Sequence, residues 1–213
     1  MSDAGAGRSW RVPVAAAVTA LLCVAAGVLV GWFGRAAGPE PHGTAIVLAD
    51  SDIAFAQQMS VHHQQAVRMV EMLGSAVAPD VAAVAAQITT AQWREIGALT
   101  GWLELAGAPL QQPVPANAHS HDRGGMAGMP GMASDAELTR LYNAKGAERE
   151  VLFLQLMIRH HQGGIDMAAA AAHSTTVPAV RARAVSMINE QQQEIALMTV
   201  SLDRRGATLL PYP

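Results

Sequence analysis

The sequence predicts an all-α protein: an antiparallel four-helix bundle made of two repeated helical hairpins, preceded by one transmembrane helix. Three observations predict it. The segment Phe55 to Met69 (FAQQMSVHHQQAVRM) recurs 98 residues later as Phe153 to Met167 (FLQLMIRHHQGGIDM). Beyond each copy, Gln92, Glu95, Ile96, Leu99 and Leu103 correspond to Gln191, Glu194, Ile195, Met198 and Leu202 at an offset of 99, so the repeated unit is a pair of helices. With 51% hydrophobic but only 4% aromatic residues, the Ala-rich composition favours helix over strand. Neither hairpin buries its apolar stripe alone, which drives the two to pack as one bundle.

Residues 1–11 read as a cytoplasmic N-terminus and residues 12–33 as a transmembrane anchor. That segment carries no charge, and its helical length of about 33 Å matches a bilayer core of about 30 Å. Arg8 and Arg11 precede it and only Arg35 follows closely, which places the N-terminus inside and the rest outside. The expected localisation is therefore the cell membrane, single-pass, with the C-terminal domain outside the cytoplasm. A cleaved signal peptide is the alternative, but its apolar core would be unusually long, and Gly34-Arg35-Ala36 is a poor cleavage site. Cys23, the only cysteine, lies inside this segment, so the exported part has only His and Met as soft or borderline ligands.

Residues 34–49 form a tether. The first hairpin covers 50–107: a helix starts near Asp50 to Asp52, breaks at Ala78-Pro79-Asp80, and gives way to a second helix that ends at Gly107-Ala108-Pro109. Residues 108–133 (APLQQPVPANAHSHDRGGMAGMPGMA) are rich in Pro and Gly and read as a flexible His/Met-rich linker. Ser134-Asp135-Ala136-Glu137 is a capping box that opens a short helix. The second hairpin fills the remainder of 134–206, broken at Thr176-Val177-Pro178, and 207–213 is a tail. In an up-down-up-down arrangement the two His-His helices would be parallel and diagonal, with four imidazoles at one level.

Hydrophobic periodicity preserves apolar character but gives no reason to keep imidazoles and thioethers at the same offsets. At about 100° per residue, Phe55, Met59, His62, His63, Ala66, Met69, Val70 and Leu73 share an arc of roughly 120°. Phe153, Met157, His160, His161, Gly164, Met167 and Ala168 do the same. The candidate metal ligands are therefore Met59, His62, His63 and Met69 in one copy and Met157, His160, His161 and Met167 in the other. Gln92, Glu95, Gln191 and Glu194 fall near the same level, where the glutamates would orient the rings or join the coordination sphere. Imidazole with thioether suits copper in both oxidation states, and thioether favours Cu(I), with silver as a second possibility. In the linker, His119, His121, Met126, Met129 and Met132 form a second array of soft ligands with little around them to pack. The competing readings are ordinary: each Met alone fills core gaps, a His on an apolar face is a satisfied core residue, and Asp52 and Glu150 are first-turn acids at helix N-termini.

The pattern of an acid, Phe, Met, His-His and Met followed by Gln-x-x-Glu-Ile resembles the bacterial family catalogued as domain of unknown function 305. MPGMASDAEL (129–138) and FLQLMIRHHQGGIDMA (153–168) carry the resemblance most closely, and it covers Asp50 to Arg205. It implies a ferritin-like four-helix bundle, usually exported, with some members linked to copper binding or tolerance and most without an assigned activity. By position the family's motif residues here are the four Met/His ligands of each copy. The first copy departs from the second, with Gln65-Ala66 where the second has Gly163-Gly164, so the halves are not expected to match in metal affinity.

The leading expectation is a membrane-anchored extracytoplasmic protein that binds or buffers copper or silver without enzymatic turnover. Its partners would be the metal ion, the membrane through the N-terminal helix, and an exported copper-handling protein. A net charge of −3 and the absence of a Lys/Arg stripe give no reason for nucleic acid. The alternatives are a structural or partner-binding bundle without metal, and a ferritin-like di-metal oxidase. The last would need Glu-x-x-His pairs, and the sequence contains none. No organic cofactor is implied.

Overall fold

The computed structural model describes residues 47–112 and 128–212. Within them all regular structure is helical: α1 (Asp50–Leu73), α2 (Pro79–Leu105), α3 (Asp135–Asn143), α4 (Gly146–Ser174) and α5 (Pro178–Asp203). The expected span 12–33 and the tether up to residue 46 lie outside the described residues. Among the described residues no helix is long and apolar enough to cross a membrane.

The helix boundaries follow local chemistry. Pro79 and Pro178 stand in the first turns of α2 and α5, where a missing N–H costs nothing. Ser134 and Glu137 close the expected capping box at the start of α3. Both hairpins finish alike. Gly107 and Gly206 adopt φ of 63° and 64°, and the following amides of Ala108 and Ala207 donate back to Leu103 and Leu202, the six-to-one closure of a glycine-terminated helix. Over each terminus one glutamine reaches across from the paired hairpin helix: Gln57 donates to the Pro109 carbonyl at 2.7 Å, and Gln155 donates to the Thr208 carbonyl at 2.6 Å. The repeat thus extends through the helix ends.

The hairpins are related differently from the expectation. α1 packs on α2 and on α4, α4 on α5, and α2 on α5, so the two His-His helices are neighbours and not diagonal. They are also antiparallel. Arg149, at the start of α4, donates to the Leu73 carbonyl at the end of α1, and the Ala78 amide donates to Glu150 at 2.7 Å. Correspondingly, Asp80 at the start of α2 pairs with Arg205 just past α5. The physical reason lies in the connection: the second hairpin begins at the opposite end of the bundle from where the first finishes, and α3 lies along α1 and α4 on the way.

Two apolar clusters form the core. One gathers Met69, Leu73, Val81, Ile88, Phe153, Met157 and Leu202, and the other gathers Phe55, Met59, Leu99, Leu103, Ala168 and Met187. A layer of buried polar side chains accompanies them, including both His-His pairs, Gln92, Glu95, Gln191 and Glu194.

Candidate metal centre

Adjacent positions on a helix diverge by about 100°, so the members of each His-His pair serve different neighbours. His62 and His160 face one another across the α1/α4 contact, ring centroids 3.8 Å apart and tilted by 33°. His63 turns towards α2, where its Nε2 stands 2.7 Å from Glu95 Oε2, although off the hydrogen-bond direction. His161 turns towards α5 and its Nε2 donates to Glu194 Oε2 at 2.7 Å. A row results: Glu95, His63, His62, His160, His161, Glu194, running from α2 through α1 and α4 to α5. Within each pair the rings lie 6.3 Å and 6.2 Å apart. All six side chains are buried.

Hydrogen bonding fixes which nitrogen carries the proton. His62 Nε2 lies 3.1 Å from the Pro130 carbonyl, and His160 Nε2 lies 2.9 Å from the His62 carbonyl. A carbonyl only accepts, so these nitrogens are the donors, and a neutral ring then keeps its lone pair on Nδ1. Burial, with the neighbouring His63 adding to it, pushes the His62 imidazole down to about 3. Burial followed by repulsion from His62, His161 and His63 holds His160 well below its ordinary 6.5. Both rings are neutral at pH 7. In His62, His63, His160 and His161 alike, Nδ1 is buried and has no hydrogen-bond partner.

The methionines flank this layer. Antiparallel packing puts Met69 with Met157 in one cluster and Met59 with Met167 in the other. Met59, Met69 and Met157 are fully buried and Met167 is partly so. Gln92 and Gln191 are buried at the same layer, with one amide atom of each unpartnered. Among the described residues no three His, Cys, Asp or Glu side chains group closely enough to hold a metal by themselves, so a centre here needs thioether or fewer donors.

Of the linker array, His119, His121 and Met126 lie outside the described residues. Met129 and Met132 belong to a strap, residues 129–133, which docks on the bundle, and both are partly buried. Gln65 grips this strap from α1, donating to the Ala133 carbonyl at 2.9 Å and accepting from the Ala133 amide at 2.8 Å. Arg159 of α4 pairs with Glu137 just beyond it. Gly163 leaves the space: a Cβ there would stand 1.9 Å from the Pro130 oxygen. Sequence reasoning missed the roles of Gln65, Pro130 and Gly163, although the Gln65-Ala66 versus Gly163-Gly164 difference marked the place. Gly164 serves another neighbour, since a Cβ on it would meet the Gln191 amide at 2.3 Å.

A family model described as a domain of unknown function (DUF305) matches residues 52–202. Comparison with curated proteins gives no match. Among solved structures, a DUF305 protein from Streptomyces coelicolor, described as secreted, is 37% identical with a TM-score of 0.66, covering 76% of this chain and 98% of that one. A DUF305 fragment from Deinococcus radiodurans is 30% identical with a TM-score of 0.63, over 74% and 99% of the two chains. CopM in the Cu(II)-bound form is 31% identical with a TM-score of 0.57, and in the Cu(I)-bound form 28% identical with 0.56, each over 72% of this chain and 96% of that one. The relative described as secreted corrects the single-pass cell-membrane localisation expected from residues 12–33; among the described residues, which do not include that segment, no helix is long and apolar enough to cross a membrane.

Proposed function

This chain belongs to the DUF305 family, and from that premise we propose that it is a binding protein for copper or silver ions, without catalytic turnover. The observation that carries the reading is the set of four buried, unpartnered Nδ1 atoms on His62, His63, His160 and His161. An unsatisfied buried donor or acceptor costs about 1–3 kcal/mol, and four such ring nitrogens in one layer are a large penalty for a bundle that only needs to fill volume. A metal ion takes up those lone pairs. Held from behind by an oxygen acceptor on Nε2, an imidazole presents Nδ1 in the oriented form that a metal ligand needs. Met59, Met69, Met157 and Met167 add thioethers on either side, which favours Cu(I) and Ag(I) over hard cations. These ions tolerate low coordination numbers, in keeping with the lack of any grouping of three His, Cys, Asp or Glu among the described residues. The copper-bound states of CopM support the same choice of metal.

The linker residues His119, His121, Met126, Met129 and Met132 form a further soft-ligand set in this reading. Glu194 orients His161 through its hydrogen bond, Glu95 stands 2.7 Å from His63 Nε2, and Gln92 and Gln191 line the layer. The di-metal oxidase is disfavoured by the lack of a carboxylate cluster among the described residues and of Glu-x-x-His in the sequence. A structural bundle whose histidines satisfy one another leaves the four Nδ1 atoms unexplained. Metal analysis of the purified full chain separates the three: copper or silver supports the proposal, iron the oxidase, and no metal after incubation with each ion the structural bundle.

A further inference from the structure

The two halves of the histidine row differ in one respect that the internal repeat does not supply. His160 Nε2 is held by a carbonyl of the partner helix, that of His62, whereas His62 Nε2 is held by Pro130, a residue of the strap. We propose that docking of the strap Met129–Ala133 onto α4 positions His62, fixing its proton on Nε2 and its lone pair on Nδ1, and so sets the metal affinity of the first copy. This inference rests on the metal-binding reading for its second half only.

The docking is over-determined by backbone contacts. At Gly163 a Cβ would fall 1.9 Å from the Pro130 oxygen and 2.3 Å from its carbonyl carbon, so no side chain fits without moving the strap. Gly131 is constrained twice: its φ of +75° disfavours any L side chain, and a Cβ there would stand 2.4 Å from the Arg159 carbonyl. Gln65 closes both hydrogen bonds of Ala133, and Arg159 reaches the Met132 carbonyl as well as Glu137. Such precision of backbone placement is more than a connection between hairpins requires. It delivers one carbonyl to one imidazole nitrogen. It also explains the departure between the copies: Gly163 makes room for the strap on α4, while its counterpart on α1, Gln65, grips it.

The test is imidazole nitrogen NMR of the metal-free full chain labelled at histidine, together with Ag(I) affinity by chelator competition, in Gly163→Ala, Gly131→Ala and Gln65→Ala. In the parent, His62 should show a protonated Nε2 and a bare Nδ1. Displacing the strap should abolish that single tautomer at His62 and leave His160 and His161 unchanged. Ag(I) affinity should fall about 10–100-fold, the usual effect of losing a group that orients a metal-binding histidine, with far-UV circular dichroism preserved. Gln65→Ala opens the grip without inserting an atom and should act in the same direction if the glycine variants fail to fold. An unchanged His62 tautomer in the variants, or a parent His62 protonated on Nδ1, overturns the proposal. A parent chain that binds no Ag(I) defeats the metal-binding reading instead, and the tautomer spectrum still decides whether the strap holds His62.

Discussion

At the scale of single residues, burial keeps the imidazoles of His62 and His160 neutral. His62 and His160 have folded-state values below the ordinary 6.5 of an exposed histidine. Between the unfolded value and the depressed folded one, the unfolded chain binds more protons, so stability falls as pH drops through that window. Glu137, pulled down to about 2 by its Arg159 partner, acts in the same direction below pH 4. Urea unfolding of the full chain should therefore show a lower midpoint at pH 5 than at pH 7. A midpoint that stays put or rises would contradict neutral burial of these rings. Gly164 offers a second residue-scale test. A valine there must displace Gln191 inside a packed layer and should cost about 1–3 kcal/mol, read from the same unfolding curves. Both roles were partly visible in the chain. The arc shared by His62, His63 and the methionines placed them inside, but an imidazole's hydrogen-bond partner can be a backbone carbonyl, which any residue supplies, so Pro130 left no trace of its own.

At the scale of elements, the helices were readable because their boundaries are written in local chemistry: Pro79 and Pro178 at helix starts, Ser134 with Glu137 at a cap, Gly107 at an end. Their mutual arrangement was not. Periodicity tells which face of α1 is buried but not which helix covers it, and the parallel, diagonal expectation gave way to antiparallel neighbours. That arrangement is secured at one end by Arg205, which pairs with Asp80 at 2.9 Å and with Glu150 at 2.6 Å, joining α2, α4 and the end of α5. Arg205→Ala should cost about 1.5–3 kcal/mol, the range for hydrogen bonds to charged groups, since it leaves two carboxylates close together. Chemical denaturation would measure it, and a loss below 0.5 kcal/mol, on the order of an exposed pair, would show that the clamp adds nothing. Gln57 and Gln155, at equivalent positions of the repeat, tie each hairpin's far end.

At the scale of the whole molecule, duplication and inversion together produce the histidine layer. Because the second hairpin runs opposite to the first, the equivalent residues His62 and His160 meet across the α1/α4 contact, and Met59 joins Met167 while Met69 joins Met157. A single copy could not assemble this layer. Copper or silver should accordingly stabilise the entire bundle, raising its melting temperature as ligand concentration rises, whereas an equal concentration of Mg2+ should leave it unmoved. The central claim is that the buried Nδ1 atoms exist to bind a soft metal. Its most direct test is Cu(I) affinity by chelator competition for the full chain and for the variant with His62, His63, His160 and His161 all replaced by Ala. The account predicts that the variant keeps its helical content and loses Cu(I) affinity by at least about tenfold, 1.4 kcal/mol. Equal affinity in the two proteins would contradict it.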